Sequence, residues 1–174
     1  EGANLRHCNF TDGKIHNCHF ENSNLSHADF KNTTLNNCNL AAADLTGINL
    51  DTSKLINCDF TECNLKDVTL NSTIVDSRTT FGKNLKSETE GNYHFASIEY
   101  KQIKEMYKNS GLHNMADIYH YKVMVAKRKI DNISNPRRWL NYIFGDLLCK
   151  YGTSYSRIFL SSAFVIILCA LMLN

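Results

Sequence analysis

A large apolar residue occupies every fifth position over the first seventy residues of the chain. An amphipathic helix would repeat its apolar positions about every 3.6 residues and a strand about every two, so neither element has this spacing. A chain that turns once per repeat returns each of these residues to one interior, which predicts a solenoid. The predicted core consists of Leu5, Phe10, Ile15, Phe20, Leu25, Phe30, Leu35, Leu40, Leu45, Leu50, Leu55, Phe60, Leu65 and Leu70.

The positions beside this core also follow the repeat. Twelve of the fourteen residues that lie two positions earlier are small, and the exceptions are Ile48 and Val68. Residues two apart on an extended segment point to the same side, so both should face inward. The position between them is Asn or Asp in nine of the fourteen units. Because these side chains bond to nearby backbone in tight turns, the pattern predicts short extended segments joined by corners.

The repeat also carries a family resemblance. Units such as ADFKN at 28–32 and ADLTG at 43–47 follow the pattern A-(D/N)-L-x-x, and over residues 2–76 the chain resembles the pentapeptide-repeat family. The resemblance implies a right-handed quadrilateral β-helix with four pentapeptides to a coil. Residues twenty apart would then be vertical neighbours at about 4.8 Å, the usual strand spacing. Family members share no single activity: some resemble DNA and bind gyrase, some are secreted effectors, and many are coupled to other domains.

The period breaks after Ile74, and the second half of the chain has helical patterns with Gly111 as a break between two helices. The predicted fold is therefore mainly β: a pentapeptide-repeat solenoid, then an α-helical hairpin and a C-terminal hydrophobic helix. The predicted divisions are a β-helix (1–76), a linker or cap (77–92), a helical hairpin (93–133), a basic juxtamembrane segment (134–157) and the start of a transmembrane helix (158–174).

The last of these segments suggests a membrane protein. Residues 158–173 contain no charge, and a bilayer span needs about 20 apolar residues. A buried core helix is the alternative interpretation. The positive-inside rule, applied to the basic residues before the segment, predicts residues 1–157 on the cytoplasmic side. The residues that would flank the membrane are Arg137, Arg138, Trp139, Lys150 and Arg157.

The second half of the chain resembles that of bacterial pentapeptide-repeat proteins fused to a membrane domain. Some of those proteins carry a two-helix ion-channel module. The chain opens at Glu1, already in repeat register and without an initiator Met, so we expect it to be a piece of a longer protein.

Cysteine and histidine positions follow the repeat rather than a metal-binding motif. We expect the five repeat cysteines to be buried, reduced thiols in a reducing compartment, because their spacing matches no zinc pattern. His7 and His27 should stack outside one corner, either as a metal or pH-responsive pair or as ordinary surface residues. No Ser-His-Asp arrangement or carboxylate pair stands out, so we expect no enzyme activity, cofactor, metal site or identifiable small-molecule ligand. The five cysteines are Cys8, Cys18, Cys38, Cys58 and Cys63.

Charge divides the chain into two parts, because residues 1–80 carry a net charge of −4 and residues 81–174 a net charge of +6. We expect a cytosolic protein-interaction or assembly scaffold of a bacterial membrane protein, which acts through protein partners or self-association. By resemblance, it would be the regulatory part of an ion-channel-like protein. The alternative is a DNA-mimicking binder of a topoisomerase such as gyrase, which needs a strongly anionic face. Direct nucleic-acid binding is not expected, because the basic residues cluster outside the solenoid. The lysines that weaken an anionic face are Lys14, Lys31, Lys54 and Lys66.

Overall fold

The computed structural model describes residues 2–131, 135–148 and 150–172. In its first half, Leu35 pairs with Ile15 on one side and with Leu55 on the other, so partners are twenty residues apart. Isolated parallel bridges repeat this spacing on three further sides of the coil. The four strands form one parallel sheet in chain order: β1 (Lys14–His16), β2 (Thr34–Asn36), β3 (Lys54–Ile56) and β4 (Ile74–Val75). The register is that of a four-sided solenoid with four pentapeptides per coil.

Side-chain hydrogen bonds account for the Asn and Asp residues that precede the core positions. In all nine such units the side-chain Oδ1 accepts a hydrogen bond from the backbone N–H two residues later. This bond closes a tight turn at each corner. Strands β1 to β3 have Lys14, Thr34 and Lys54 at the equivalent position, and there the chain forms a three-residue strand instead.

The corner residue two positions after each core residue has a left-handed backbone. All fourteen of these residues, from His7 to Ser72, have φ between 51° and 64°. Asn, Asp, His and Gly tolerate this conformation best, and they occupy ten of the fourteen corners. At Gly47 a Cβ would lie 2.5 Å from His27 Nδ1, so glycine is required there for a second reason.

The predicted core residues lie inside the solenoid, but their burial depends on the coil. From Leu25 to Leu70 every one of them is buried. The four in the first coil are half-buried and pack against the core from one end, since that coil has a neighbouring coil on only one side among the described residues. Phe10 stacks on Phe30 with the ring centroids 4.5 Å apart, and Phe20 meets both rings edge-on.

The solenoid continues past the predicted boundary at residue 76. Phe81 stacks on Phe60 at 5.0 Å between ring centroids, and Thr80 bridges Asp59, so the spacing here is twenty-one residues. One additional residue shifts the count of five without interrupting the parallel ladder. Phe81 is buried and extends the same hydrophobic core.

Two long helices cover this end of the solenoid. The helices of the second half are α1 (Lys86–Thr89), α2 (Tyr93–Asn109) and α3 (His113–Ile130), with Gly111 at φ +76° between the last two. Three hydrogen bonds satisfy backbone groups of the last coil: Ser110 Oγ accepts from the Val75 N–H, Gln102 donates to Val68 O, and Tyr107 donates to Thr79 O. The hairpin therefore caps the open edge of the β-helix, which would otherwise expose unpaired backbone.

Short helical elements follow the cap. They are α4 (Pro136–Leu140), a π-helical segment (Asn141–Leu148), a 3₁₀ turn (Lys150–Gly152) and α5 (Tyr155–Met172). These elements occupy the part of the chain predicted as a basic juxtamembrane segment and the start of a transmembrane helix.

The predicted transmembrane helix over 158–174 needs correction. Within residues 2–131, 135–148 and 150–172, no helix is long and apolar enough to cross a bilayer. The helix α5 begins before the uncharged stretch and includes Arg157 in its first turn. Residues 173 and 174 lie outside the described chain.

Candidate interaction surface

One side of the solenoid is acidic. We call it the acidic side, and it consists of the stacked residues 18–22, 38–42 and 58–62. It carries Glu21, Asp59 and Glu62 but no Lys or Arg, and Ala41 and Ala42 leave its centre flat. This side contributes −3 to the net charge of −4 over residues 1–80, and the side made of residues 8–12, 28–32 and 48–52 contributes −2.

The carboxylate of Glu21 is held in place by two neighbours on the acidic side. Its Oε1 accepts a hydrogen bond from Asn39 Nδ2 at 2.7 Å and lies 2.9 Å from His19 Nδ1. The contact with His19 lowers the pKa of Glu21, so this carboxylate is ionised at neutral pH. Its second oxygen is buried without a hydrogen-bond partner among the described residues. The acidic side therefore presents a fixed negative charge.

The next side around the coil has the opposite charge. This strand side consists of residues 13–17, 33–37 and 53–57, which include Lys14 and Lys54; the next coil of the same sheet adds Asp76, which is paired with Arg78. Along its corner, Asn37 donates to Asn17 Oδ1 at 3.2 Å and Asn57 donates to Asn37 Oδ1 at 2.8 Å. These stacked amides lock the coils in register. The two neighbouring sides thus form a rigid surface with a boundary between opposite charges.

A cleft adjoins the acidic side, where the chain leaves the solenoid. Its volume is about 590 Å³, and one wall comes from the acidic side while the other comes from the segment around α1. Small side chains form the solenoid wall, and charged side chains of both signs surround the opening. The cleft is lined by Ala42, Thr61, Glu62, Lys83, Asn84, Lys86, Thr89 and Glu90. It is wide enough to receive a peptide segment or side chains of a partner.

His7 and His27 stack as the sequence predicts, with the ring centroids 5.3 Å apart and the planes 12° from parallel. Gly47 lies next in this column and offers no ligand atom. Across the described residues, no group of three or more His, Cys, Asp or Glu side chains converges on a common point. The two histidine rings therefore form a stacked pair at the surface of the solenoid.

The repeat cysteines occupy the small inward positions. Cys38, Cys58 and Cys63 are buried, Cys8 and Cys18 are half-buried, and all five are free thiols. The Cys63 thiol donates to Leu40 O, and burial raises its pKa to about 12. The neighbouring Cys38 thiol and burial together raise the pKa of Cys58. Cys58 and Cys63 therefore stay protonated and act as small packing groups, whereas the hydrogen bond with the Cys58 thiol lowers the pKa of Cys38.

A hydrogen-bonded charge cluster joins α1 to the hairpin. Glu88 accepts from Tyr100 Oη at 2.6 Å and from Lys129 Nζ at 2.8 Å. Burial acts to raise the pKa of Glu88, but these hydrogen bonds outweigh it and lower the pKa. Lys122 lies over the rings of Tyr100 and Tyr119 at 5.2 and 5.3 Å. The cluster is internal and serves the packing of the cap.

The predicted membrane-flanking residues contact different parts of the chain. Arg157 donates to Asp146 O at 3.4 Å, and Lys150 lies 5.3 Å from the ring centroid of Tyr121. Arg138 donates to Asp131 O, and Trp139 is 55% exposed on α4. Arg137 belongs to α4, but its side chain lies outside what the structure describes.

Sequence reasoning missed the partners of Asp146. Arg128 donates to Asp146 Oδ2 at 2.6 Å, and Tyr121 donates to Asp146 Oδ1 at 2.6 Å. Both partners are on α3, so the pair fastens the C-terminal helices to the cap. A signal was available, because Asp146 is the only acidic residue after Asp131 in a strongly basic stretch. A lone carboxylate among basic and aromatic residues is expected to find a partner.

The parallel ladder, the fourteen left-handed corners and the four-sided core define a β-helical solenoid with a helical cap. A family model described as pentapeptide repeats matches residues 3–40 and 35–71, with eight copies. The repeat segment therefore belongs to the pentapeptide-repeat family, which confirms the resemblance seen in the sequence. The fusion to a membrane domain is not supported by this match.

Solved structures of pentapeptide-repeat proteins resemble the chain over a little less than half its length. They are a protein from the Arabidopsis thaliana thylakoid lumen (28% identity, 49% of this chain, 58% of that chain, TM-score 0.47), Rfr23 from the cyanobacterium Cyanothece 51142 (23%, 45%, 54%, 0.45) and HetL, involved in heterocyst differentiation regulation, from the cyanobacterium Nostoc (22%, 42%, 34%, 0.41). The matches cover between about a third and three-fifths of those proteins. No curated protein sequence matches the chain.

Proposed function

We propose that the chain is a protein-interaction scaffold without catalytic activity, in which the acidic side and the adjoining cleft receive a partner protein. The observation that carries this proposal is the charge boundary on a rigid surface: the acidic side contributes −3 and the strand side +2. Electrostatic complementarity selects a partner and its orientation more than it adds affinity. The expected partner therefore presents a basic segment to the acidic side.

Rigidity supports the same proposal. Both sides are built from stacked coils whose corners are held by side-chain hydrogen bonds, such as the Asn17, Asn37 and Asn57 ladder. A surface that is ordered before binding loses little conformational entropy when a partner docks. Repeat solenoids commonly use such extended surfaces for binding.

Site-specific photo-crosslinking tests the proposal. A photoreactive amino acid at Ala42, in the floor of the cleft, should crosslink a specific partner in cells. Thr52 is the matched control, since it is also an exposed corner residue with nearly the same φ, 59° against 57°. Charge reversal by Glu62→Lys should abolish the crosslink at Ala42. A crosslink of equal strength from both positions, or one that survives the reversal, would contradict the proposal.

The predicted role at a membrane forms a second part of the proposal. The scaffold would be held at a membrane by its C-terminal helices, with residues 1–157 on the cytoplasmic side. Support comes from the four basic residues between 135 and 157 and from exposed apolar side chains on α4 and α5. Fractionation of cells that express the chain, compared with one ending at residue 135, tests this part. The ion-channel extension rests on the family resemblance alone and does not enter the proposal.

The DNA-mimicking alternative has one observation in its favour, the concentration of negative charge on the acidic side. Against it stands the strand side, where Lys14 and Lys54 would repel a DNA-binding groove. A supercoiling assay with gyrase decides this alternative. Inhibition that Glu62→Lys removes would favour a DNA mimic, whereas no inhibition would exclude gyrase as the partner.

A further inference from the structure

Exposed apolar side chains are concentrated on the C-terminal helices. Phe159 is 75% exposed, Leu160 68% and Phe144 61%, although each is large enough to form part of a core. Elsewhere in the described chain, only Ile74, Ile98, Ile118 and Ile130 are large, apolar and exposed. Soluble surfaces rarely carry so many such side chains together, and such a patch marks an interaction site. The set comprises Trp139, Leu140, Tyr142, Ile143, Phe144, Leu147, Tyr155, Ile158, Phe159, Leu160 and Ile166.

The charge of this region limits what can cover the patch. Residues 135–172 contain four basic residues and one acidic residue, so their net charge is +3. The one carboxylate, Asp146, is already bonded to Arg128 and Tyr121 on α3. A second copy of the chain would bring another +3 surface against the first without a free carboxylate in this range to pair with it. Charge complementarity therefore favours an anionic occupant.

A cleft on the same surface has the chemistry of a phosphate site. It is lined by Arg128, Arg138, Trp139 and Tyr142 and has a volume of about 410 Å³. The guanidinium of Arg128 lies 4.9 Å from the ring centroid of Tyr142, and the Trp139 and Tyr142 rings meet edge-on at 6.5 Å. Because Arg128 is already paired with Asp146, the phosphate contact falls to the guanidinium of Arg138, and Trp and Tyr prefer the headgroup level of a bilayer.

We infer that the exposed side chains described between residues 138 and 166 form an interfacial binding surface for an anionic lipid bilayer, with the cleft beside Trp139 as a headgroup site. The exposed apolar side chains of α4, the π-helical segment and α5 enter the boundary between headgroups and acyl chains. Arg138, Lys150 and Arg157 face the lipid phosphates. This mode needs a short insertion and no crossing of the bilayer. It deepens the membrane part of the proposed function by naming the lipid class and the contact surface.

Trp139 supplies a direct test, because it is the only tryptophan in the chain. Its fluorescence should shift to the blue when the full chain meets vesicles of phosphatidylglycerol and phosphatidylcholine. Lipids brominated near the headgroup should quench it more than lipids brominated at the chain end. Pure phosphatidylcholine vesicles should produce a much smaller shift. An unchanged spectrum at saturating anionic vesicles would overturn the inference.

Vesicle co-sedimentation with matched variants tests which residues bind. Phe144→Ser and Phe159→Ser should each weaken partitioning about tenfold, because each removes one exposed aromatic side chain that would enter the bilayer. Ile98→Ser is the control on α2, where the side chain is 45% exposed but lies outside the patch. Arg157→Gln should weaken binding about fivefold, and Lys101→Gln should have no effect. Equal binding by the Phe variants and the Ile98 control would refute the inference.

A different occupant of the patch, or a different mode of attachment, would give its own result in these assays. A Trp139 blue shift that depends on protein concentration and needs no vesicles would identify a second copy as the occupant and overturn the lipid assignment. Protein that fractionates with membranes but resists high salt, with no preference for anionic vesicles, would keep membrane attachment and refute the anionic surface. The crosslink at Ala42 is independent of both readouts, so a failure of the scaffold proposal is recognised separately.

Discussion

The solenoid and the C-terminal helices use large apolar residues in opposite ways. Leu45 in the solenoid is fully buried, whereas Leu160 on α5 is 68% exposed. In the solenoid the period of five points the large apolar side chains inward. The coils of the same chain then shield these side chains from solvent. In the C-terminal helices, the exposed apolar side chains have no cover in the described chain. From Leu25 onward the solenoid covers its own core, whereas the C-terminal helices leave their apolar side chains exposed among the described residues.

The two regions also differ in where the hydrogen-bond partners of their polar side chains lie. Within the solenoid, Thr33 Oγ1 donates to Phe10 O and Thr73 Oγ1 donates to Leu50 O, so inward hydroxyls bond to the backbone of the coils. In the C-terminal helices the main polar anchor is Asp146, and its partners Arg128 and Tyr121 belong to the cap. We therefore expect local stability to decrease from the solenoid toward the C-terminal helices.

A pair of leucine truncations gives the largest expected effect and addresses this comparison directly. Leu45→Ala should lower the free energy of unfolding by about 2–5 kcal/mol, because it leaves a cavity in a closed core. Leu160→Ala removes the same atoms from an exposed site and should change it by less than about 0.5 kcal/mol. Chemical denaturation followed by circular dichroism measures both. Comparable losses would mean that α5 is packed as tightly as the solenoid.

The second prediction concerns the attachment of the C-terminal helices. Asp146→Ala leaves Arg128 without its carboxylate, although both side chains are only 13% exposed. The free energy of opening this region should fall by about 1–3 kcal/mol. Faster amide hydrogen exchange across residues 141–148, with unchanged exchange in the solenoid, is the expected result.

Glu105→Ala is the control for that experiment, because Glu105 is 44% exposed and its pair with Lys104 lies on α2. An exposed pair contributes little, so exchange across residues 141–148 should stay as in the original chain. If Asp146→Ala instead accelerated exchange throughout the solenoid, the two regions would unfold as one unit and the comparison would fail.

The solenoid could be predicted in detail because its pattern is local and repeated. A single period assigned Leu45 to the core, Asp44 to a turn and the stacking of His7 on His27 to one corner. The boundary at residue 76 was set too early, since one inserted residue before Phe81 breaks the count of five while the ladder continues. The left-handed corners were not predicted, although Asn, Asp, His and Gly dominate these positions.

The interaction surfaces could not be predicted to the same extent. The acidic side brings together residues that are twenty positions apart, such as Ala42 and Glu62. The cleft that these two residues line is also lined by Lys86, which lies beyond the repeat. The bond between Asp146 and Arg128 joins positions eighteen residues apart across different helices. Uncharged sequence from residue 158 predicted a membrane span, but the helix that carries it begins earlier and includes Arg157. Composition alone does not fix helix boundaries.

The third prediction tests the corner chemistry within the solenoid. Asp44 Oδ1 accepts from the Thr46 N–H, from Thr46 Oγ1 and from Asn64 Nδ2. Asp44→Ala should lower the free energy of unfolding by about 1–2 kcal/mol, because the backbone loses its turn bond. Lys54→Ala, at the equivalent position on the strand side, should change it by less than about 0.5 kcal/mol. A larger effect at Lys54 would show that the strand side, rather than the Asx turns, limits stability.

The smallest predicted effect concerns the pH dependence of the cap, which lies between the two regions. The pKa of Glu88 is lowered below its ordinary value of 4.5 by Lys129 and Tyr100, despite burial. A carboxyl group with a lowered folded-state pKa contributes stability that is fully present above 4.5 and is lost as the pH falls through the folded value. Glu88→Gln should therefore lower the free energy of unfolding by about 1 kcal/mol near neutral pH, and the difference should shrink well below pH 4.5. Denaturation curves of both proteins at several pH values measure this. If the difference in the free energy of unfolding stayed constant with pH, the charge of Glu88 would not contribute to stability and the prediction would fail.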